Sequence, residues 1–182
     1  MSVVVDPAIV LLARTSLSLL FGVAAAHKLL HPRELLAALD AYDLASRRFN
    51  TAIARLLPLL EFAVAIGTWI LPTRVYASLL AAALLTIYAA AIGINLARGR
   101  HDLDCGCTAF GRRSPIAGWM LARNAILTVL AVLAAAPVAP RTLTLTDALT
   151  VTGGLCVLTL IYLAVGGLLR TATSARRLEL QS

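Results

Sequence analysis

The sequence reads as an all-α polytopic membrane protein, a bundle of about five transmembrane helices, on three observations. Hydrophobic residues fill 60% of the 182 positions and the mean hydropathy is +0.87, whereas soluble domains hold roughly 45–50% apolar residues. The apolar residues are gathered into five stretches, each near the ~20 residues that cross a hydrocarbon core. The sequence between these stretches is too short to build a soluble domain.

The stretches are 8–30, 51–71, 75–97, 116–136 and 146–169. No Gly/Ser-rich, Pro-rich or charge-dense run divides the chain, so one transmembrane domain over residues 1–182 is expected. Ala24-Ala25-Ala26 resembles a signal-peptide cleavage site, but residues 3–13 are apolar apart from Asp6 and carry no Lys or Arg, so the first stretch is expected to stay as a span. After it, Pro32-Arg33-Glu34 precedes Leu35, Leu36, Leu39 and Tyr42 at helical spacing, which predicts a short amphipathic helix on the membrane surface. Pro72-Thr73-Arg74 is short enough to make the second and third spans an antiparallel hairpin, and Pro137 to Pro140 breaks the chain after the fourth.

Basic residues orient such a bundle. Segments 31–50, 98–115 and 170–182 hold ten Arg between them, against only Arg74 and Arg141 on the other side. That bias predicts a multi-pass protein of a bacterial inner membrane with its N-terminus outside and its C-terminus in the cytoplasm. The net charge of +7 falls between apolar runs, which argues against nucleic acid as a partner. Trp69, Tyr76 and Trp119 are placed as interfacial anchors.

Ionisable residues inside apolar stretches are costly and are paired or functional. Arg14, Glu61 and Arg123 are of this kind, and helix rise puts either arginine within reach of the Glu61 carboxylate. A structural ion pair and a redox or substrate site both remain open for them. His27, Lys28, Asn95, Arg123 and Asn124 all lie towards the end that bears the segment 98–115, as a polar site would require. That segment contains Asp104-Cys105-Gly106-Cys107, two thiols separated by a glycine that permits tight ring closure. Strained disulfides of this kind are labile and oxidising, and Lys28, Arg112, Arg113 or Arg123 would favour a thiolate. His101, Asp102, Asp104 and the two cysteines could instead ligate a metal, although a single Cys-x-Cys lacks the second ligand pair of a structural zinc site. Cys156 lies in the middle of the fifth stretch, where a small residue is expected to pack.

These residues, taken in order, resemble the MauE proteins of methylamine utilisation, which belong with the DoxX-like membrane proteins. The resemblance rests on Lys28 closing the first span, Tyr42, Pro58 with Glu61, Asp104-Cys105-Gly106-Cys107 with Phe110-Gly111, and Arg123-Asn124. Thr108-Ala109 stand between the second cysteine and Phe110-Gly111, a departure from the family's expected spacing. The resemblance implies a four-helix core plus a C-terminal helix. It also implies a role in thiol–disulfide exchange beside a thioredoxin-like partner, serving client thiols such as those of the methylamine dehydrogenase small subunit. By transfer, Cys105 and Cys107 are the redox pair, with Lys28, Glu61, Arg123 and Asn124 shaping the site.

The sequence therefore points to a membrane thiol–disulfide redox protein in which one thiolate attacks a partner's disulfide and the other cysteine resolves the mixed disulfide. The charge bias puts the cysteines on the cytoplasmic side, opposite an extracytoplasmic client, so electrons would have to cross the membrane through a quinone or Cys156. A non-enzymatic scaffold for a redox complex and a small transporter lined by Glu61 and Arg123 are the alternatives.

Overall fold

The computed structural model describes residues 5–100, 103 and 116–179, with side chains as far as Leu168. They form six helices: α1 (Pro7–Leu30), α2 (Pro32–Tyr42), α3 (Arg47–Gly67), α4 (Arg74–Ala97), α5 (Trp119–Ala135) and α6 (Leu145–Glu179). Helices α1, α3, α4 and α6 are each long and apolar enough to cross a bilayer, while α5 is apolar but has 17 residues, a rise of about 26 Å. The chain is thus an all-α, multi-pass membrane protein.

Local chemistry explains where the helices start and stop. Asp6 caps α1 by accepting the Ala8 N–H at 2.8 Å, and Pro7 takes the first helical position, where its missing N–H costs nothing. Pro32 starts α2 in the same way. That helix ends at Asp43 in the left-handed conformation (φ 51°), which a short Asx side chain tolerates. The second span begins four residues before its apolar stretch, at Arg47, because its first turn lies at the membrane edge, and it closes at Gly67. The last helix continues ten residues past the apolar stretch, so the 170–179 segment carrying Arg170, Arg176 and Arg177 is helix and not a loose tail.

Helix α1 is the hub, packing on α3, α5 and α6, while α3 packs on α4 and α4 on α5. Lipid tails are as apolar as leucine, so these contacts depend on close approach and hydrogen bonds more than on exclusion of water. The interfaces accordingly bury Ala13, Ala25, Ala65, Ala77, Ala81, Ala131 and Ala134 around Leu17, Phe21, Val64 and Leu84. The Ser18 hydroxyl donates across the α1–α3 contact to the Ala65 carbonyl at 2.8 Å. Large side chains such as Leu19, Leu59, Ile87, Ile126 and Leu160 remain exposed and face lipid. Helix α6 is the extreme case: only 6% of its most apolar window is buried. Cys156 lies exposed on it, so the expectation that this residue packs inside the bundle is not met.

The end opposite the cysteine segment is closed by charge. Arg141 donates to both oxygens of Asp6 (3.1 and 2.9 Å) and to both of Asp147 (2.8 and 2.7 Å), joining the entry to α1 with the first turn of α6. Val5 and Val138 pair alongside through Val5 N–H to Pro137 O and Ala139 N–H to Val5 O, both 3.0 Å.

Two predictions follow from this packing. A Cβ on Gly67 would stand 2.9 Å from the Ala77 Cβ across the α3–α4 turn. Gly67→Val is therefore expected to destabilise the protein by about 1–3 kcal/mol, read as an earlier melting transition in detergent micelles. Arg141→Gln is expected to free the start of α6 and expose segment 137–144 to proteolysis. Its hydrogen bonds hold the Asp6 carboxyl below the usual carboxylate range, so the protection should persist at neutral pH and fade only as acidification falls through that lowered value. Protease resistance that is unchanged in the variant, or lost already near neutrality, would contradict the clamp.

Candidate functional site

A lysine in the last turn of a helix reaches back over the turn before it, because helical side chains lean towards the N-terminus. Lys28 does this at the end of α1, and Glu61 on α3, whose chain runs the other way, leans towards it. The two meet as a buried salt bridge on Glu61 Oε1. Tyr88 of α4 donates its hydroxyl to the same oxygen at 2.6 Å, and its ring lies under the lysine ammonium, 5.1 Å from the centroid. One carboxylate oxygen thus ties together three helices inside the bundle.

This arrangement corrects the pairing expected from helix rise. Arg14 precedes Lys28 by fourteen residues on the same helix, about 21 Å along the axis, and donates instead to the Ala134 carbonyl at 3.1 Å. Arg123, in the first turns of α5, lies over the Trp119 ring at 5.6 Å and donates to the Tyr162 hydroxyl at 3.3 Å and to Asn124 Oδ1 at 3.5 Å. Trp119 therefore contacts a site residue, beyond its expected part as an anchor.

Lys28, Glu61, Arg123 and Asn124, which the sequence singled out, do come together. They line one cavity of about 40 Å³ with Tyr88, Tyr162 and the apolar side chains of α1, α4 and α5. Asn95 is fully buried on α4, donating to the Ala91 carbonyl at 3.1 Å, and does not line that cavity. His27 is turned away, stacked on His31 at 4.6 Å. Tyr88 and Tyr162 were missed, because an uncharged hydroxyl on an aromatic ring barely marks an apolar run. The remaining clue was position: each tyrosine sits well inside its span.

Cys105 and Cys107 lie outside the described residues, as do His101, Asp102, Asp104 and Phe110-Gly111. The base of their segment is described. Leu103, two residues before Cys105, accepts the Ile116 N–H at 2.9 Å and packs against the cluster of Tyr42, Ile92, Ile116 and Met120. Arg100 and Arg98 tie the end of α4 to the end of α2, donating to the Ala41 and Asp43 carbonyls at 3.5 and 3.3 Å. The segment thus leaves and rejoins the bundle at a fixed place, and α5 begins there only four residues before Arg123.

Residues 6–137 match the family described as Methylamine utilisation protein MauE. The chain belongs to the MauE family. Among curated relatives, the methylamine utilization protein MauE of Paracoccus denitrificans is 40% identical over 131 residues, 70% of this chain and 68% of that protein. The MauE of Methylophilus methylotrophus is 31% identical over 185 residues, 98% of this chain and 95% of that one. The MauE of Paracoccus versutus is 38% identical over 131 residues, 72% and 70% of the two chains. No solved structure matches the chain. Every cavity residue except Tyr162 falls inside the segment that matches the MauE family.

The buried pair carries a prediction. Removing one partner strands a charge in the bundle, a loss of about 3–5 kcal/mol, whereas removing both relieves most of it. Lys28→Met and Glu61→Gln are each expected to lower the melting temperature in micelles more than the double variant does. Additive losses would show that the two groups do not depend on each other.

Proposed function

We propose that this MauE-family chain is a bacterial inner-membrane thiol–disulfide redox protein that assists methylamine utilisation, with Cys105 and Cys107 as its redox pair. The observation that carries the reading is the convergence of Lys28, Glu61, Arg123 and Asn124 on one cavity close to where the cysteine segment rejoins the bundle. Desolvated charge in a membrane interior is too costly to keep for spacing alone, and cations near a thiol favour the thiolate that attacks.

The chemistry is a dithiol–disulfide exchange with a thioredoxin-like partner. The thiolate of one cysteine attacks the partner's disulfide, forming a mixed disulfide and releasing one partner thiolate. The second cysteine then attacks that bond, leaving a Cys105–Cys107 disulfide and a partner dithiol. Two electrons pass from this chain to the partner, and the two thiol protons follow them. Run backwards, the steps oxidise a partner dithiol to its disulfide and leave Cys105 and Cys107 as thiols, and that partner disulfide would then take two electrons from the thiols of a client such as the methylamine dehydrogenase small subunit. The surplus of arginine supports an orientation with the N-terminus outside and the cysteine segment and C-terminus in the cytoplasm.

Cys105→Ser and Cys107→Ser are each expected to abolish exchange with a thioredoxin-fold substrate while membrane insertion and melting temperature stay unchanged. Exchange that survives in both would eliminate the redox reading, and recovery of partners with the double variant would point to a scaffold. Labelling of intact cells with a membrane-impermeant maleimide, before and after reduction, tests the sidedness. Labelling of Cys105 or Cys107 without permeabilisation would reverse the orientation.

A further inference from the structure

The Glu61 carboxylate is only half used. Its Oε1 takes both Lys28 and Tyr88, while Oε2 is buried and accepts no hydrogen bond among the described residues. Asn124 is in the complementary position: Arg123 donates to its Oδ1, which fixes that end of the amide as the acceptor, and its buried Nδ2 donates to no described residue. A buried polar atom left without a partner costs about 1–3 kcal/mol. Here the two residues that carry an unpaired acceptor and an unpaired donor among the described residues line the same cavity.

Its size selects the occupant. About 40 Å³ holds roughly three or four waters, at some 10–15 Å³ each. The chemistry agrees, because Oε2 needs a donor and Nδ2 needs an acceptor, and water is both at once. A quinone offers acceptors only and would leave the carboxylate oxygen unsatisfied.

We propose that this cavity is an internal hydration site, in which water donates to Glu61 Oε2 and accepts from Asn124 Nδ2. The water gives a fully buried carboxylate a neighbour able to exchange a proton with it. The other polar groups facing the site are Lys28 from α1, Tyr88 from α4, Arg123 from α5 and Tyr162 from α6. Nothing in this assignment depends on thiol exchange, although the site would give such an exchange a proton route within the bundle.

The test is X-ray hydroxyl-radical footprinting of the full chain in lipid nanodiscs prepared in oxygen-18 water. Radicals born from trapped water mark the side chains that touch it. Phe21 and Tyr88 line the cavity, whereas Met120 is equally buried, intrinsically more reactive and away from it. Labelling of Phe21 and Tyr88 above that of Met120 is expected, as is a several-fold drop in Asn124→Leu, which keeps the side-chain size and removes the donor. Phe21 and Tyr88 as silent as Met120 would overturn the proposal, and so would labelling that ignores Asn124→Leu in a variant of unchanged melting temperature. Should that variant fail to fold, the wild-type comparison with Met120 decides alone.

Discussion

The burial of the Lys28–Glu61 pair is the constraint on which the rest of the bundle depends. Two charges removed from water lose several kcal/mol of solvation each, and their attraction restores this only with good geometry and further hydrogen bonds. Here the geometry comes from two antiparallel helices whose side chains lean towards each other, and the further bond comes from Tyr88 on a third. Moving α1, α3 or α4 by one helical turn, about 5.4 Å, would separate the charges inside a medium that cannot screen them. The pair therefore sets the relative height of these helices more sharply than their alanine-rich contacts could, since those would tolerate sliding.

That fixed height has a consequence at the end bearing the cysteine segment. Tyr42, Ile92 and Met120 form a second apolar cluster there, and Leu103 and Ile116 clip the segment's two ends onto it. Placing α4 relative to α1 and α3 thus also places the base from which Asp104-Cys105-Gly106-Cys107 departs. Arg123 stands only one turn into α5 from the same base, so the cationic part of the cavity and the thiol-bearing segment are held by a common frame.

Much of this was legible in the sequence because membrane helices announce themselves by hydropathy and because charge within them is rare. Lys28, Glu61, Arg123 and Asn124 stood out for that reason. The pairing was not legible. Hydropathy gives depth only to within a few residues, so Arg14 and Arg123 both stood as partners for Glu61, while Lys28, at the end of its span, was not considered as one. Tyr88 was hidden because hydropathy scales treat it as nearly neutral. The placement of Cys156 failed for a different reason: the apolar pattern of 146–169 is the same whether its faces meet helices or lipid, and α6 turns out to meet mostly lipid.

Helix α6 shows how the cavity's completeness depends on the chain beyond residue 137. The matched family segment ends there, and α1, α3, α4 and α5 within it supply the salt bridge, both unpaired polar atoms and most of the apolar wall. What α6 adds is Tyr162, whose hydroxyl accepts from Arg123 at the cavity's edge. Its packing is otherwise thin: Gly154 against Leu12, where a Cβ would come within 3.1 Å, and the Arg141 clamp at the far end. The relative of Methylophilus methylotrophus aligns over 98% of this chain, so the segment is shared beyond it. The helices of the matched segment carry the buried ion pair and the Asn124 amide, and the last helix adds Tyr162 and little buried surface.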